Sequence, residues 1–367
     1  MKITFLFGNG FDIQCGLRTS YQDFYKYILN ERYSINLYES GDYEATNINN
    51  SIYKSIYESR RTPETWGDLE CQIGLYTQQL EKQSIDNEEL GIKFLDDFVE
   101  ITEDLNNYLK SNQLPADIKL EEDYSEILLD TMKNFFKGVL PIEEEKILQH
   151  LRGCTKEHIF YQCISFNYTN TLEKILASSK TRAQGNTFTN QNYQLVMQEK
   201  PIYVHGKVDY MLTMGVNDES QMAISLFDNQ DARDLIKPHS LDSSREVMKR
   251  EGEAVLLDSK IIVIFGMSLG ITDKYWWQKI GEVLLKDRDN KLIVHYYSKA
   301  DYSNVSPRKI RKRRENIENI FLSHLDNYPK EEVENLKEQI YIVTNSQYML
   351  NLDLEKYLRF ENAATPF

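Results

Sequence analysis

Cysteine, proline and glycine are all scarce in this chain of 367 residues, at four, eight and sixteen. The cysteines, Cys15, Cys71, Cys154 and Cys163, form no CxxC pair and no zinc-type spacing, which argues against a structural metal and fits a reducing cytosol. The composition is neither collagen-like nor that of a disordered chain. No apolar run approaches the roughly 18 residues that a membrane helix needs. The opening Met1-Lys2-Ile3-Thr4-Phe5-Leu6-Phe7 is too short for a signal-peptide core and runs straight into Gly8. A cytoplasmic protein without membrane contact is expected. Basic residues are also short, 43 against 57 acidic ones, giving a net charge of −14. An acidic surface repels nucleic acid, so general polyanion binding is disfavoured.

Large side chains are abundant. Hydrophobic residues make up 41% of the chain and tyrosines number 24, enough for a sizeable core with half-buried aromatic surfaces. The length allows two domains, or one large domain with an insertion. Lys2 to Phe7 is β-rich and apolar on both faces, the signature of a strand in a sheet covered on both sides. Similar runs recur at 158–166, 201–205, 260–266, 291–297 and 339–344, with room for helices between the later ones. The pattern predicts an α/β fold: a Rossmann-like, doubly wound, mostly parallel sheet with right-handed crossovers.

Residues 8 to 157 break that rhythm. Leu90, Phe94, Leu95, Phe98, Ile101, Leu105, Tyr108 and Leu109 repeat at helical spacing, as do Tyr124–Phe136 and Ile142–Leu151, with Pro115 and Pro141 as breaks. The expected organisation is a nucleotide-binding domain over 1–44 and 151–367, with a helical insertion over 45–150. The polar stretch 183–195 is expected to be a loop or weak hairpin.

Four expected strands end in small or polar residues. Gly8-Asn9-Gly10 follows the first, Asn167 the second, His205-Gly206 the third, and Gly266 with Ser268 the fourth. In a parallel sheet these ends share one edge, where ligands bind. Glycine there permits a tight turn and close approach of backbone N–H groups to a phosphate. A full GxGxxG is absent, since position 13 is Ile13. Each residue also has a plain structural reading: Asn167 as a turn residue or helix cap, Ser268 as a cap for the helix entered near Asp273, Asp12 as a support for the glycine turn. Convergence of a histidine with the other three ends favours function.

These blocks resemble the AbiH-type bacteriophage abortive-infection family. The residues that carry the resemblance are Gly8-Asn9-Gly10-Phe11-Asp12, GLRTSYQDF at 16–24, TWGDLE at 65–70, FNYTNTLE at 166–173, HGK at 205–207 and FGMSL at 265–269. They occur in order across nearly the whole chain. The resemblance implies phage defence without specifying a reaction. More remotely, Gly8/Gly10, Gly16-Leu17, Asn167, His205-Gly206 and Gly266-x-Ser268-Leu269 are similar to the landmarks of sirtuin-like NAD-binding domains. Sirtuin zinc cysteines have no counterpart, which argues against protein deacetylation. The acid found there two residues after the asparagine is Thr169 here.

The similarity implies a cleft for NAD, as substrate or ligand and not as a prosthetic group. Gly8, Asn9, Gly10, Phe11, Asp12, Thr19, Ser20, Gly206, Gly266, Ser268 and Leu269 would bind it, with the pyrophosphate over the Gly8–Gly10 amides. His205 would be the base and Asn167 would position water or ribose in hydrolysis to nicotinamide and ADP-ribose. Glu70 and Asp273 are accessory carboxylates, with Trp66 and Leu69 as packing beside Asp68. A restraint on such an activity is expected from a homo-oligomer or a partner protein, through the insertion. The competing reading is a nucleotide-sensing module acting with a partner effector; a nuclease is a third. The basic run Arg308, Lys309, Arg311, Lys312, Arg313 and Arg314 is read first as a solvated helix face and second as a nucleic-acid contact.

Overall fold

The computed structural model describes residues 1–35, 47–58, 69–83, 87–115, 120, 122–154, 158–178, 183–188, 191–239, 246–297 and 306–344. Its strands are β1 (Lys2–Phe7), β2 (His158–Ser165), β3 (Ala183–Phe188), β4 (Gln191–Met197), β5 (Ile202–Tyr203), β6 (Ile261–Phe265), β7 (Lys291–Tyr296) and β8 (Ile340–Thr344). They form one sheet in the order β3-β4-β2-β1-β6-β7-β8, with β5 beside the end of β2. Every pairing is parallel except the β3–β4 hairpin. The fold is therefore α/β with a mostly parallel sheet. The polar 183–195 stretch forms a hairpin, joined to β2 through β4. The expected strand at 201–205 shrinks to two residues.

Alternation inside the apolar strands builds two cores. Ile3, Phe5 and Phe7 of β1 face one side with Tyr161, Cys163 and Val263, while Leu6 faces the other with Ile164, Ile262 and Ile264. Helices Glu122–Lys133, Pro141–Cys154 and Thr171–Ser178 cover the first face through Leu128, Met132, Ile147, Leu151 and Ile175. Helices Lys274–Lys286 and Pro307–Ser323 cover the second through Trp277, Ile280, Leu284, Ile317 and Phe321. Burying each such side chain contributes about 1.5–3 kcal/mol, so these strands are stable only between two helical layers.

The chain divides into two units, one of residues 1–17, 114–204 and 247–367, the other of 18–113 and 205–246. These bounds differ from the expected insertion at 45–150. Helices Glu122–Lys133 and Pro141–Cys154 bury their apolar faces in the sheet's own core, so they belong to the first unit. Pro141 opens a helix there, where its missing N–H costs nothing.

The second unit contains helices Tyr21–Tyr33, Ser51–Glu58, Leu69–Glu81 and Asn87–Asn112. The stripe predicted from helical spacing is buried in the last of these through Phe94, Ile101, Leu105, Tyr108 and Leu109. Residues 205–239, largely irregular, lie on these helices. The Ala223 N–H donates to Thr77 Oγ1 at 2.8 Å and Lys110 pairs with Asp209 at 2.7 Å. Among the described residues, no helix is long and apolar enough to cross a membrane.

Candidate functional site

β1 lies between β2 and β6, so the chain crosses to one side after β1 and returns on the other before β6. Beyond the carboxyl ends of strands at such a reversal is the place where open parallel sheets bind ligands. The three ends are tied by backbone bonds. Phe166 N–H donates to Phe7 O at 2.8 Å, and Gly8 N–H donates to Phe265 O at 2.9 Å.

The glycine turn has a different reason from the one expected. Gly10 N–H donates to Gly266 O at 2.8 Å, and a Cβ on Gly10 would sit 2.6 Å from Gly266 Cα. Gly266 itself has a φ of +69°, and a Cβ there would meet Phe11 N at 2.6 Å. The two turns thus pack backbone against backbone, which only glycine allows. The Gly8 and Gly10 N–H groups are consumed by this contact, so they form no phosphate cradle. The helix that follows, Gly10–Gln14, is a single turn in length, and Asn9 at its N-cap makes no side-chain cap bond. Phe11 is likewise a core residue, fully buried with its ring 5.0 Å from that of Phe7.

Asp12 is the chemically distinctive residue of this rim. It is 1% exposed, and Thr169 Oγ1 donates to its Oδ2 at 2.5 Å. Thr171 Oγ1 lies 3.2 Å from Thr169 Oγ1, so the two hydroxyls run toward the carboxylate. Burial raises the Asp12 pKa to about 7, opposed by the Thr169 bond and by the nearby Asn167 and Thr171 side chains. Neither amide atom of Asn167 meets hydrogen-bond geometry among the described residues. Asp12 Oδ1 and Asn167 Oδ1 and Nδ2 are buried without a partner among the described residues. The buried thiol of Cys15 is pushed well above its usual pKa by burial, with the Asp12 charge adding to it. Tyr203, whose hydroxyl donates to Glu173 Oε2 at 3.4 Å, also titrates higher because it is buried near Glu173 and Asp12.

Thr169, Thr171, Tyr203 and Glu173 were not picked out from the sequence as site residues. The available signal was Thr169 itself, a hydroxyl in the turn after β2 that bonds Asp12, an acid just beyond β1.

After β6, Leu269 is buried in the second core with a φ of +56°, and His324 Nε2 lies 2.9 Å from its carbonyl. Its side chain packs in that core. Ser268 is exposed and caps nothing, since the next long helix starts at Lys274 with Asp273 as N-cap, whose side chain makes no cap bond.

The second unit holds the remaining expected residues. Ser20 is the N-cap of Tyr21–Tyr33, accepting from Asp23 N–H at 3.0 Å, and Thr19 is buried. Both read as support for that helix start. His205, which follows Val204 directly in the chain, is 5% exposed, and its carbonyl accepts from Thr213 N–H at 2.9 Å. Gly206 has a φ of +74° and would place a Cβ 1.9 Å from Met211 O, so it is a turn residue.

Glu70 is no gating acid: Lys237 Nζ lies 2.8 Å from its Oε2, in a pair with side chains 3% and 6% exposed, and Gly215 N–H donates to its Oε1 at 3.3 Å. Trp66 and Asp68 lie outside the described residues.

In the basic run, Arg308, Lys309, Arg311 and Lys312 are exposed. Arg311 pairs with Glu315 at 3.5 Å, and Arg314 is bound by Glu143 at 2.5 Å. The solvated helix face accounts for this arrangement.

No curated protein matches the chain at a significant level. A family model described as bacteriophage abortive infection AbiH matches residues 4–296, and the chain belongs to that family.

Proposed function

We propose that this abortive-infection protein binds NAD at the carboxyl rim of its parallel sheet and hydrolyses it to nicotinamide and ADP-ribose, exhausting the cofactor of an infected cell. The observation that carries the reading is the buried cluster of Asp12, Asn167, Thr169 and Thr171 at the strand reversal. A sheet of this type binds nucleotides at that place. Buried polar atoms left without partners in a native protein call for an explanation, and a ligand supplies one.

Hydrolysis joins the oxygen of water to C1′ of the nicotinamide ribose. The glycosidic C–N bond breaks, its electron pair passes into the nicotinamide ring and cancels the ring's charge, and the water proton leaves to a base. The sequence offers His205 as the candidate for that base, since a free imidazole titrates nearest neutrality. A positioned base contributes about 10²–10⁴-fold to such a step. Asn167 orients the water or the ribose, and ionised Asp12 offsets positive charge developing on the sugar.

The test incubates the purified full chain with NAD and follows nicotinamide and ADP-ribose. His205→Ala is expected to remain folded and to lose turnover. Full turnover by that variant would remove His205 from the mechanism. Binding without turnover by the unaltered chain would identify a nucleotide sensor that acts through a partner.

A further inference from the structure

We propose that Asp12 and Asn167 read the vicinal diol of a ribose, so that the rim is a sugar-recognition point and not a phosphate site. This inference rests on the nucleotide reading given above and specifies which part of the ligand the rim holds.

The argument is a count of donors and acceptors. Asp12 Oδ2 is taken by the Thr169 hydroxyl, and Thr169 is in turn within hydrogen-bond distance of Thr171. What remains buried and without a partner is Asp12 Oδ1, Asn167 Oδ1 and Asn167 Nδ2. Two acceptor oxygens and one amide nitrogen with two N–H donors are therefore left over. A phosphate at neutral pH offers acceptors alone. It would face the Asp12 carboxylate, and the Gly8 and Gly10 amides that might have compensated already bond Phe265 O and Gly266 O.

Two adjacent hydroxyls supply the complement, two O–H donors and a lone pair for the amide. A carboxamide offers the same count, but both its donors sit on one nitrogen and cannot turn into acceptors. Asp12 titrates near neutrality, at about 7, so its Oδ1 alternates between acceptor and donor. Hydroxyls can reorient to match either state. Cys15 and Tyr203 are titratable groups of this unit that the Asp12 charge acts on; burial and the neighbouring charges push both upward, so both stay neutral there.

The probe is ADP-ribose, which contains both riboses but no nicotinamide bond to cleave. It is titrated onto the full chain by calorimetry at pH 8, beside analogues lacking the 2′ or 3′ hydroxyl of either ribose. Loss of either hydroxyl from one particular ribose is expected to weaken binding about 10–100-fold, the worth of a hydrogen bond to a charged group. Asp12→Asn, and separately Thr169→Val, should bind ADP-ribose more weakly and discriminate the analogues less than tenfold. Circular dichroism confirms that both variants fold.

Analogues that all bind within twofold of ADP-ribose would overturn the assignment. So would the absence of binding, or competition by nicotinamide alone as strong as that by the nucleotide. Diol discrimination without release of nicotinamide from NAD leaves this inference standing and removes the hydrolase reading. Turnover of NAD without diol discrimination does the reverse.

Discussion

Asp12→Asn is the substitution whose consequences the structure defines most fully. Burial raises the Asp12 carboxyl from 3.8 to about 7. Between those values the folded chain holds a proton that the unfolded chain has already released. Stability therefore falls as pH climbs from about 4 to about 7, and the whole loss is present above 7. At 1.36 kcal/mol per pH unit the difference amounts to about 4 kcal/mol. An amide has the same shape, keeps an oxygen for Thr169 and carries no charge to desolvate.

The variant should thus match the parent near pH 4 and exceed it by up to about 4 kcal/mol at pH 8, while losing nucleotide binding. His295 has the opposite sign. Its ring is fully buried and depressed from 6.5 to about 4, so stability falls as pH drops through that window. The two slopes largely cancel in the parent between pH 4 and 6.5, and only the difference between variant and parent isolates Asp12. Urea unfolding of both, without ligand, at intervals from pH 4 to pH 8 measures it. A difference that stays within about 0.5 kcal/mol across that range would refute the claim that this carboxylate is held at a cost to stability. A stabilised but inactive variant is the pattern expected of a functional group kept in an unfavourable setting.

Other outcomes follow from separate parts of the molecule. His295→Gln should gain about 3 kcal/mol relative to the parent as pH falls from 6.5 to 4, read by the same urea series. Gly266→Ala, forced to a φ of +69° and into Phe11 N, should cost more than about 2 kcal/mol, whereas Gly153→Ala, with nothing within 4 Å of the added Cβ, should change stability by no more than about 1 kcal/mol. Equal effects would sink the interlocked-turn account. Lys237→Met strands the buried Glu70 carboxylate and should cost about 3–5 kcal/mol in thermal unfolding, with Glu70→Gln added to it restoring much of the loss. Replacing Arg308, Lys309, Arg311 and Lys312 together by Gln should leave stability within about 0.5 kcal/mol. If their face is only solvated, retention of labelled nucleic acid should be equally weak before and after at both low and high salt.

The parallel sheet was legible in the sequence because strands buried on both faces need long apolar runs, and 2–7, 261–265, 291–296 and 340–344 have them with little competing signal. The helix Asn87–Asn112 was legible for the same reason, since its buried stripe repeats at 3.6 residues. The strand ends were legible too: Gly8, Asn167 and Gly266 follow them closely, and a parallel sheet brings such ends to one edge.

What one dimension could not carry was the use of each rim residue. Whether the Gly10 N–H faces a ligand or Gly266 O depends on a neighbour some 256 positions away in the chain. Asp12 and Thr169 are 157 residues apart, and only the sheet order makes them partners. The same holds for Glu70, which looks like a free acid until Lys237 closes on it. Helices 122–133 and 141–154 have the periodicity of an insertion but join the sheet's core, because amphipathic patterning states that a face is buried and not against what. Local residue chemistry determined the elements and their ends; long-range packing decided which polar groups are spent on the fold and which, at Asp12 and Asn167, keep buried atoms without a partner among the described residues.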